Sequence, residues 1–484
     1  MNYRMMLYII GQIIRIEGLL MIIPLICSFI YPQNSLFAFL IPCLALTLLG
    51  TLMTIKRPKN KEIGAKEGFV CVALCWVVLS LLGAVPFVLS GEIPSFIDAF
   101  FETASGFTTT GSSILTEIEH INKDILMWRS LTHWIGGMGV LVFMLIFLPQ
   151  ADIKSSRMMH VMRAEVPGPV VGKLVSKISV TARITYAIYI CLTVIEIIFL
   201  LFGKMPLYDS IVHSLGTAGT GGFSIKNTSI AYYNSAYIDY VIGIFMVLFA
   251  INFNVYFLII TGGFIKALKN EELRWFLIIV GVSTAIITLN IASTYGGLLN
   301  GLRYAFFQVS SVISTTGFST TDFNQWPELS KAILVLLMFI GACAGSTGGG
   351  IKVSRIMLLV KNAFREIKYI IHPRAVIRVR IDNNAVEHEV IRSTTSYFIV
   401  YIIIFSFSVI LLCLFDPQYD LVTNFSAVAA CINNIGPGLN AVGPAANFSG
   451  LSNASKILLS FNMLAGRLEL FPMLMLFSPA SWKK

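Results

Sequence analysis

The segments that decide the fold read Ser105-Gly-Phe-Thr-Thr-Thr-Gly111, Gly216-Thr-Ala-Gly-Thr-Gly-Gly222, Ser311-Val-Ile-Ser-Thr-Thr-Gly317 and Ala430-Cys-Ile-Asn-Asn-Ile-Gly436. When the four are aligned on their last glycine, a threonine or asparagine stands two positions earlier in every copy. A small residue stands six positions earlier in every copy. Agreement in several such columns indicates an internal repeat.

Each glycine-rich segment has the same surroundings. A long apolar stretch precedes it, then a short stretch that begins near Pro94, Pro206, Gly301 or Asp420, and a second long apolar stretch follows. The short stretch cannot cross a bilayer, since a spanning helix needs about 20 residues. Non-helical backbone at membrane depth is tolerated only where it is buried in protein or lines a water-filled cavity. Four such loops pointing to one axis would line a pore.

The composition is typical of a membrane protein. Of the 484 residues, 56% are hydrophobic and 12% charged, whereas soluble domains carry about 25% charged residues. Apolar stretches long enough to span a bilayer include Phe69–Leu89, Ile125–Leu148, Ile238–Thr261 and Tyr397–Phe415. We predict an all-α polytopic membrane protein with four tandem helix–pore loop–helix repeats around a central pore, plus two N-terminal transmembrane helices.

The formal net charge of +10 comes from lysine and arginine residues concentrated in short loops, namely Lys56–Lys66, Lys154–Lys177, Lys266–Arg274 and Lys352–Arg380. Positive charge in short loops marks the cytoplasmic side of a membrane. The basic excess therefore indicates topology rather than nucleic-acid binding. With these loops inside, about ten full spans and four half-spans result, the pore loops face outward, and both termini are cytoplasmic.

This pattern divides the chain into five parts. Residues 1–66 hold the two N-terminal transmembrane helices, and the pore repeats occupy residues 67–155, 156–270, 271–385 and 386–484. The third repeat carries an intramembrane gating loop. Alternation over Val376–Ile381, followed by Asp382-Asn-Asn, indicates a small β-hairpin in the same repeat.

The return loops have the composition of a potassium filter. An ion gives up its water when carbonyl oxygens replace it, in backbone conformations that glycine tolerates best. Hydroxyl-bearing Thr109, Thr220 and Thr315 can brace the backbone or add ligands. The alternative is that the glycines are hinges of a secondary transporter, whose broken helices also bind ions. We predict that potassium binds in a filter formed by Thr109, Thr110, Gly111, Thr220, Gly221, Gly222, Thr315, Thr316, Gly317, Asn434, Ile435 and Gly436. No cofactor is predicted in this chain.

The second span of the third repeat breaks at Gly341-Ala-Cys-Ala-Gly-Ser-Thr-Gly-Gly-Gly350. A helix does not propagate well through so many glycines. A flexible loop at mid-membrane, just inside a filter, is a candidate gate, and the alternative is a purely structural kink. The predicted gate residues are Gly345, Ser346, Thr347, Gly348, Gly349 and Gly350.

Two charged residues lie inside apolar spans. An intramembrane charge is costly and functional by default, so Arg467 is predicted to lie at the depth of the glycine-rich break, to join the gate there and to repel cations. Its alternatives are an ion pair with Glu469 or a position at the span end from which it reaches the membrane surface. Glu196 is interpreted as a helix-packing residue that makes a hydrogen bond.

The four loops occur together with Trp128-Arg-Ser-Leu-Thr-His-Trp-Ile-Gly-Gly-Met-Gly139, Gly345-Ser-Thr-Gly-Gly-Gly350, Gly466-Arg-Leu-Glu469 and a Ser478-Pro-Ala-Ser-Trp-Lys-Lys ending. This set resembles the Trk/Ktr/HKT superfamily, and its TrkH type in particular, over essentially the whole chain. The resemblance implies potassium uptake through the bacterial cytoplasmic (inner) membrane, filter glycines at Gly111, Gly222, Gly317 and Gly436, a homodimer with one pore per subunit, and a cytoplasmic TrkA-like nucleotide-binding regulatory protein. His133 stands where Gln is commoner in the family, and this departure does not affect the filter argument.

The predicted function is channel-like selective permeation of potassium, gated by a cytoplasmic partner. The alternative is a secondary transporter that couples potassium to sodium or protons, which lacks support because no membrane-centre cluster of carboxylates is evident in the sequence. An enzyme is not predicted, since the six histidines are scattered and no nucleophile elbow is present. The glycine runs at Gly345–Gly350 and Gly436–Ala441 resemble nucleotide-binding motifs only by chance, because neither opens a helix after a soluble strand.

Overall fold

The computed structural model describes residues 1–31, 35–58, 60, 63–139, 178–375 and 377–482. In chain order, the helices of these residues are α1 (Tyr3–Leu20), α2 (Ile22–Ile30), α3 (Leu36–Thr54), α4 (Ala65–Gly83), α5 (Val85–Leu89), α6 (Phe96–Phe107), α7 (Lys123–Gly137), α8 (Ile178–Phe202), α9 (Leu207–Gly219), α10 (Ala236–Ala250), α11 (Phe253–Ile260), α12 (Phe264–Leu268), α13 (Glu271–Ile291), α14 (Leu298–Ile313), α15 (Glu328–Ile340), α16 (Val353–Ile371), α17 (His388–Phe415), α18 (Leu421–Ile432), α19 (Asn453–Arg467), α20 (Phe471–Phe477) and α21 (Pro479–Trp482). Short 3-10 turns occur at Ser229–Tyr233, Phe323–Gln325 and Asn440–Val442.

Several helices suit a bilayer. Within the described ranges, six helical segments are long and apolar enough to cross a membrane, and a seventh results if the bent pair α10–α11 is counted as one span. The six are Tyr3–Ile30, Leu36–Thr54, Lys66–Leu89, Arg183–Phe202, Glu271–Ile291 and His388–Phe415. The prediction of an all-α polytopic membrane protein is confirmed.

The N-terminal spans form a tight pair. Helices α1 and α3 pack along each other, and a Cβ added at Gly50 would lie 2.5 Å from the backbone nitrogen of Arg15 and 2.6 Å from the carbonyl oxygen of Gly11. Small residues at such a crossing let two helix backbones approach closely, which is how helices associate where no water is present.

Four short helices match the half-spans predicted from the sequence. We call α6, α9, α14 and α18 the pore helices, and they contain 12, 13, 16 and 12 residues. Each begins within a few residues of its predicted start. The Oγ of Ser95 caps α6 by accepting from the backbone nitrogen of Asp98, and Asp420 caps α18 by accepting from that of Thr423.

The second helices of repeats two, three and four are interrupted, although the sequence analysis located only one break. Helix α10 ends at Ala250 and α11 leaves it at an angle of 91°. Helices α15 and α16 are separated by residues 341–352, and α19 and α20 by residues 468–470. The apolar stretch Ile238–Thr261 is therefore not one continuous helix. Ile251 has an extended conformation, and the side chain of Asn252 caps the next helix by accepting from the backbone nitrogen of Asn254.

The repeats are arranged as a ring in chain order. Helix α7 packs on the second pore helix, α10 on the third, α15 on the fourth, and α19 returns to the first. Two of these seams carry ion pairs at 2.6 Å, Asp239 with Arg303 and Asp98 with Lys456. The first and fourth repeats are thus neighbours in space.

The predicted hairpin is confirmed, although it is short. Strands β1 (Arg380–Ile381) and β2 (Asn384–Ala385) pair antiparallel, and the two turn residues Asp382 and Asn383 have φ of 48° and 65°. This is the geometry of a two-residue hairpin turn that asparagine and aspartate tolerate. Val376 lies outside the described residues. So do the basic loop Lys154–Lys177, the repeat boundary at 155 and the end of the predicted span Ile125–Leu148.

Candidate ion pore

The four pore helices end in one backbone conformation. The residue two before the aligned glycine is left-handed in every copy, with φ of 56° at Thr109, 55° at Thr220, 61° at Thr315 and 56° at Asn434. In each copy the next residue's amide donates to the carbonyl five positions earlier, at 2.8 to 2.9 Å. A hydrogen bond to the carbonyl five positions earlier is typical of a helix C-terminus that is followed by a left-handed residue. Four different sequences that adopt one conformation form a structural repeat.

The aligned glycines hold the four loops together. Their φ angles are 84°, 78°, 87° and 100° at Gly111, Gly222, Gly317 and Gly436, a region that glycine enters without steric cost. An added Cβ would lie 2.1, 2.0, 2.0 and 2.8 Å from a carbonyl oxygen of the next loop, namely that of Gly221, Thr316, Ile435 and Thr110 respectively. The last contact returns from the fourth loop to the first. The loops therefore form a closed ring, and all twelve residues of the predicted filter belong to it.

The hydroxyl groups of the ring contact side chains in the first loop and backbone in the third. The Oγ1 atoms of Thr108 and Thr110 lie 2.8 Å apart, and Asn434 Nδ2 donates to Thr110 Oγ1 at 2.9 Å. Thr315 Oγ1 accepts from the backbone nitrogen of Gly349 at 2.6 Å. This last bond ties the third loop to the glycine-rich break, a contact that the sequence analysis did not predict.

A buried ion pair that the sequence analysis missed supports the first two loops. Arg129 Nε and Glu102 Oε1 are 2.6 Å apart, and the side chains are 3% and 0% exposed. The same carboxylate accepts from Ser113 Oγ at 2.9 Å and from the backbone nitrogen of Ile114 at 3.0 Å. Arg129 also donates to the carbonyl of Ser224 at 2.9 Å. The pair therefore links the chain that follows the first loop to the chain that follows the second.

His133 lies beside the ring of loops, a position that the sequence analysis did not assign to it. Its Nδ1 lies 2.8 Å from the carbonyl oxygen of Gly106, and its Nε2 accepts from the backbone nitrogen of Phe223 at 3.3 Å. A Cβ added to Gly221 would lie 2.2 Å from the imidazole. A neutral imidazole with its proton on Nδ1 satisfies both contacts. The imidazole of His133 thus holds the first pore helix against the second return loop.

The glycine-rich break lies directly against the ends of two pore helices. We call residues 341–352 the intramembrane loop. A Cβ added at Gly348 would lie 2.8 Å from the carbonyl oxygen of Ser314, and one at Gly349 would lie 2.4 Å from that of Asn433. Lys352 Nζ donates to the carbonyl of Gly348. No other residue type would allow this approach, so the glycines are required by contact as well as by helix breaking.

Arg467 and the intramembrane loop meet, as the depth argument predicted. Arg467 Nη1 donates to the carbonyl of Thr347 at 2.8 Å, and Nη2 donates to that of Gly137 at 2.7 Å and to that of Gly136. Glu469, the partner that the alternative assigned to Arg467, pairs with Arg355. The guanidinium reaches the carbonyl end of α7, where a positive charge is favoured.

Glu196 is fully buried on α8, which packs on α9, and its side chain lies near Thr217 of α9. No cluster of three or more His, Cys, Asp or Glu in the described part of the chain could hold a metal ion. The four loops thus form a ring, the intramembrane loop lies against two of its pore-helix ends, and Arg467 is bound to that loop.

Comparison with known proteins decides the family. The sequence profile described as "TrkH: Cation transport protein" matches residues 35–484. The chain belongs to the TrkH family. The Trk system potassium uptake protein TrkH of Escherichia coli K12 is 36% identical over 491 residues, covering 100% of both chains. The Trk system potassium uptake protein TrkG of the same organism is 33% identical and covers 100% of this chain and 99% of its own length.

The TrkH family also accounts for the fold. The crystal structure of the potassium transporter TrkH from Vibrio parahaemolyticus aligns over 100% of both chains with a TM-score of 0.89 and 31% sequence identity. The resemblance to this type that the sequence motifs indicated is confirmed. These relatives are named as transport proteins, which places this chain with transporters rather than enzymes.

Proposed function

We propose that this chain is the ion-conducting subunit of a potassium uptake system and passes potassium by channel-like selective permeation. The observation that carries the proposal is the closed ring of four equivalent loops, each contributing a carbonyl oxygen that touches the glycine of its neighbour. Rings of backbone carbonyls replace the hydration shell of potassium. The names of the relatives, Trk system potassium uptake proteins, support the same ion.

The proposed location is the bacterial cytoplasmic membrane, with several passes and both termini in the cytoplasm. Lysine and arginine residues near the hairpin and along α16 then face the cytoplasm. This agrees with the rule that short loops rich in positive charge lie on the cytoplasmic side. The pore loops open to the outside in this orientation. Potassium is the cargo, held in the filter by the twelve ring residues.

The proposed gate is the intramembrane loop together with Arg467. The loop contacts the ends of the third and fourth pore helices, and Arg467 ties it to α7 and α19. A unit charge about 8 Å from a passing ion costs roughly 2 kcal/mol at an effective dielectric of about 20. The arrangement described here is therefore assigned to the closed pore.

We further propose regulation by a cytoplasmic nucleotide-binding protein of the TrkA type, acting on a homodimer with one pore per subunit. The basic segment Lys352–Arg380 offers a docking surface, and Lys368, Arg374 and Arg378 are exposed in it. The second predicted docking segment, Lys154–Lys177, lies outside the described residues.

A second candidate is transport coupled to sodium or protons. It draws on two carboxyls that the spans bury, Glu17 at 2% and Glu196 at 0% exposure. Glu17 packs beside the first pore helix, since a Cβ added at Gly83 would lie 3.0 Å from Glu17 Oε1 and 2.8 Å from both Thr103 and Phe107. Buried acids beside an ion path are the groups that proton coupling uses.

Reversal potentials in proteoliposomes separate the two candidates. With permeation alone, the reversal potential follows the potassium gradient and is unmoved by a tenfold change in sodium or by one pH unit. A shift with either second ion contradicts the channel proposal. Glu17→Gln and Glu196→Gln then show whether the shift depends on the buried carboxyls.

A further inference from the structure

The first turn of α13 links the intramembrane loop to the hairpin, through two adjacent glutamates that face different partners. Glu272 is 7% exposed. One of its carboxylate oxygens accepts from the backbone nitrogen of Ala344 at 2.8 Å and from that of Ser354 at 3.1 Å. Ala344 lies early in the intramembrane loop, and Ser354 lies in the first turn of α16. A single oxygen therefore holds the chain on both sides of the glycine run.

Glu271 faces the hairpin. Its carboxylate pairs with Lys361 of α16 and accepts from the backbone nitrogen of Asp382 at 3.3 Å. In return, the Asp382 carboxylate accepts from the backbone nitrogen of Glu271 at 2.7 Å and from Asn270 Nδ2 at 3.2 Å. The hairpin turn is thus bound reciprocally to the start of α13.

We propose that Glu272 positions the intramembrane loop by holding both of its ends, and that the Asp382 turn is the point from which a displacement of the hairpin reaches the loop. The proposal rests on the function proposed above, because it is that function which makes the loop a gate. The proposal adds an attachment of the intramembrane loop to α13, which neither the filter nor Arg467 supplies.

The chemistry explains why an acid is needed at this position. The loop is rich in glycine and has few side chains with which to pack, so its place depends on backbone hydrogen bonds. The Ser354 amide belongs to the first turn of a helix, where backbone donors lack partners within the helix and a negative charge is favoured. A carboxylate binds two such amides more strongly than a neutral acceptor does.

The link to the hairpin acts through the same turn. The first backbone donors of α13 also need acceptors, and Asp382 Oδ1 serves Glu271 while Asn270 Oδ1 serves Leu273 at 2.9 Å. If the hairpin moves away, the amide of Glu271 loses its acceptor and the turn that carries Glu272 loosens. Force applied to the hairpin is therefore delivered to both ends of the loop.

The test uses three variants of the full-length protein in lipid nanodiscs and liposomes. Glu272→Gln keeps the shape of the side chain but removes its charge, and Asp382→Asn weakens the hairpin contact at a partly exposed position. The matched control is Glu328→Gln on α15, whose side chain is 91% exposed and pairs only with Lys331 within its own helix among the described contacts. Amide hydrogen exchange over residues 342–354 reports on loop order, and rubidium uptake without any partner reports on the gate.

We expect the amides of Ala344 and Ser354 to exchange about tenfold faster in Glu272→Gln and severalfold faster in Asp382→Asn, with basal uptake raised in the same order. Wild-type exchange in Glu272→Gln overturns the positioning role, and wild-type exchange in Asp382→Asn overturns the hairpin link. Faster exchange with unchanged uptake upholds the positioning of the loop but contradicts the gate in the proposed function, so the two failures are distinguishable.

Discussion

Replacement of Arg467 by alanine tests the proposed gate most directly. The guanidinium donates to Thr347 in the intramembrane loop and to Gly136 and Gly137 at the end of α7. A hydrogen bond that involves a charged group contributes roughly 1.5–3 kcal/mol. Loss of the Thr347 contact alone should therefore shift the closed–open equilibrium about 10- to 150-fold toward open, since each 1.4 kcal/mol is about tenfold. Removal of the charge adds a further gain in cation occupancy.

The assay is rubidium uptake by liposomes that carry the chain without a partner. We expect Arg467→Ala to raise basal uptake at least tenfold, with the preference for potassium over sodium unchanged because the ring is intact. Arg467→Lys keeps the charge but cannot reach three carbonyls in two directions. Its basal uptake should therefore lie between that of wild type and that of Arg467→Ala. Arg365→Ala, at a residue of α16 that pairs with Glu366, is the control and should behave as wild type. Basal uptake at the wild-type level in correctly inserted Arg467→Ala protein would refute the reasoning.

Three further perturbations have defined outcomes. Gly317→Asp should abolish potassium uptake with insertion intact, because a Cβ there lies 2.0 Å from the carbonyl oxygen of Ile435 and a carboxylate adds charge. Gly317→Ser should lower the potassium-to-sodium uptake ratio, and a wild-type ratio in both variants would remove this loop from the filter. Glu102→Ala leaves Arg129 buried without its partner, so the free energy of unfolding should fall by about 3–5 kcal/mol; a thermal midpoint equal to that of wild type contradicts this. Charge reversal at three residues of the basic segment should weaken pull-down of a TrkA-type partner; these residues are Arg374, Arg378 and Arg380. Unchanged capture of the partner would place the interface elsewhere.

The parts of the fold that could be predicted are those in which a local sequence has only one physical solution. Each of the four loops has a glycine at the end of a helix that is too short to span the membrane. Few backbone conformations are then open to the loop, because the chain must turn back at membrane depth. The break at Gly341–Gly350 was predictable for the same reason, since glycine weakens a helix wherever it stands. The meeting of Arg467 with that break followed from depth alone, because helical rise fixes how far a residue lies along its span.

The features that were missed depend on contacts between distant segments. The bend at Ile251–Asn252 carries no glycine or proline, and only the capping preference of Asn252 marks it. Glu102 and Arg129 lie 27 residues apart, and their pairing depends on how α6 and α7 fold together. His133 resembles any polar residue in an apolar helix until its neighbour Gly221 is known.

The closure of the ring between the first and the fourth repeat has a consequence for synthesis. Lys456 meets Asp98 across 358 residues of sequence, and Asn434 meets Thr110 across 324. A chain emerges from the ribosome N-terminus first, at about 5–20 residues per second, so the first loop is made tens of seconds before its last neighbour exists. During that interval the first pore helix has one flank without its final protein contact. The bilayer itself, the N-terminal helices or an insertion factor must shelter that flank until the fourth repeat arrives, and the ring of loops is complete only when the fourth loop is in place.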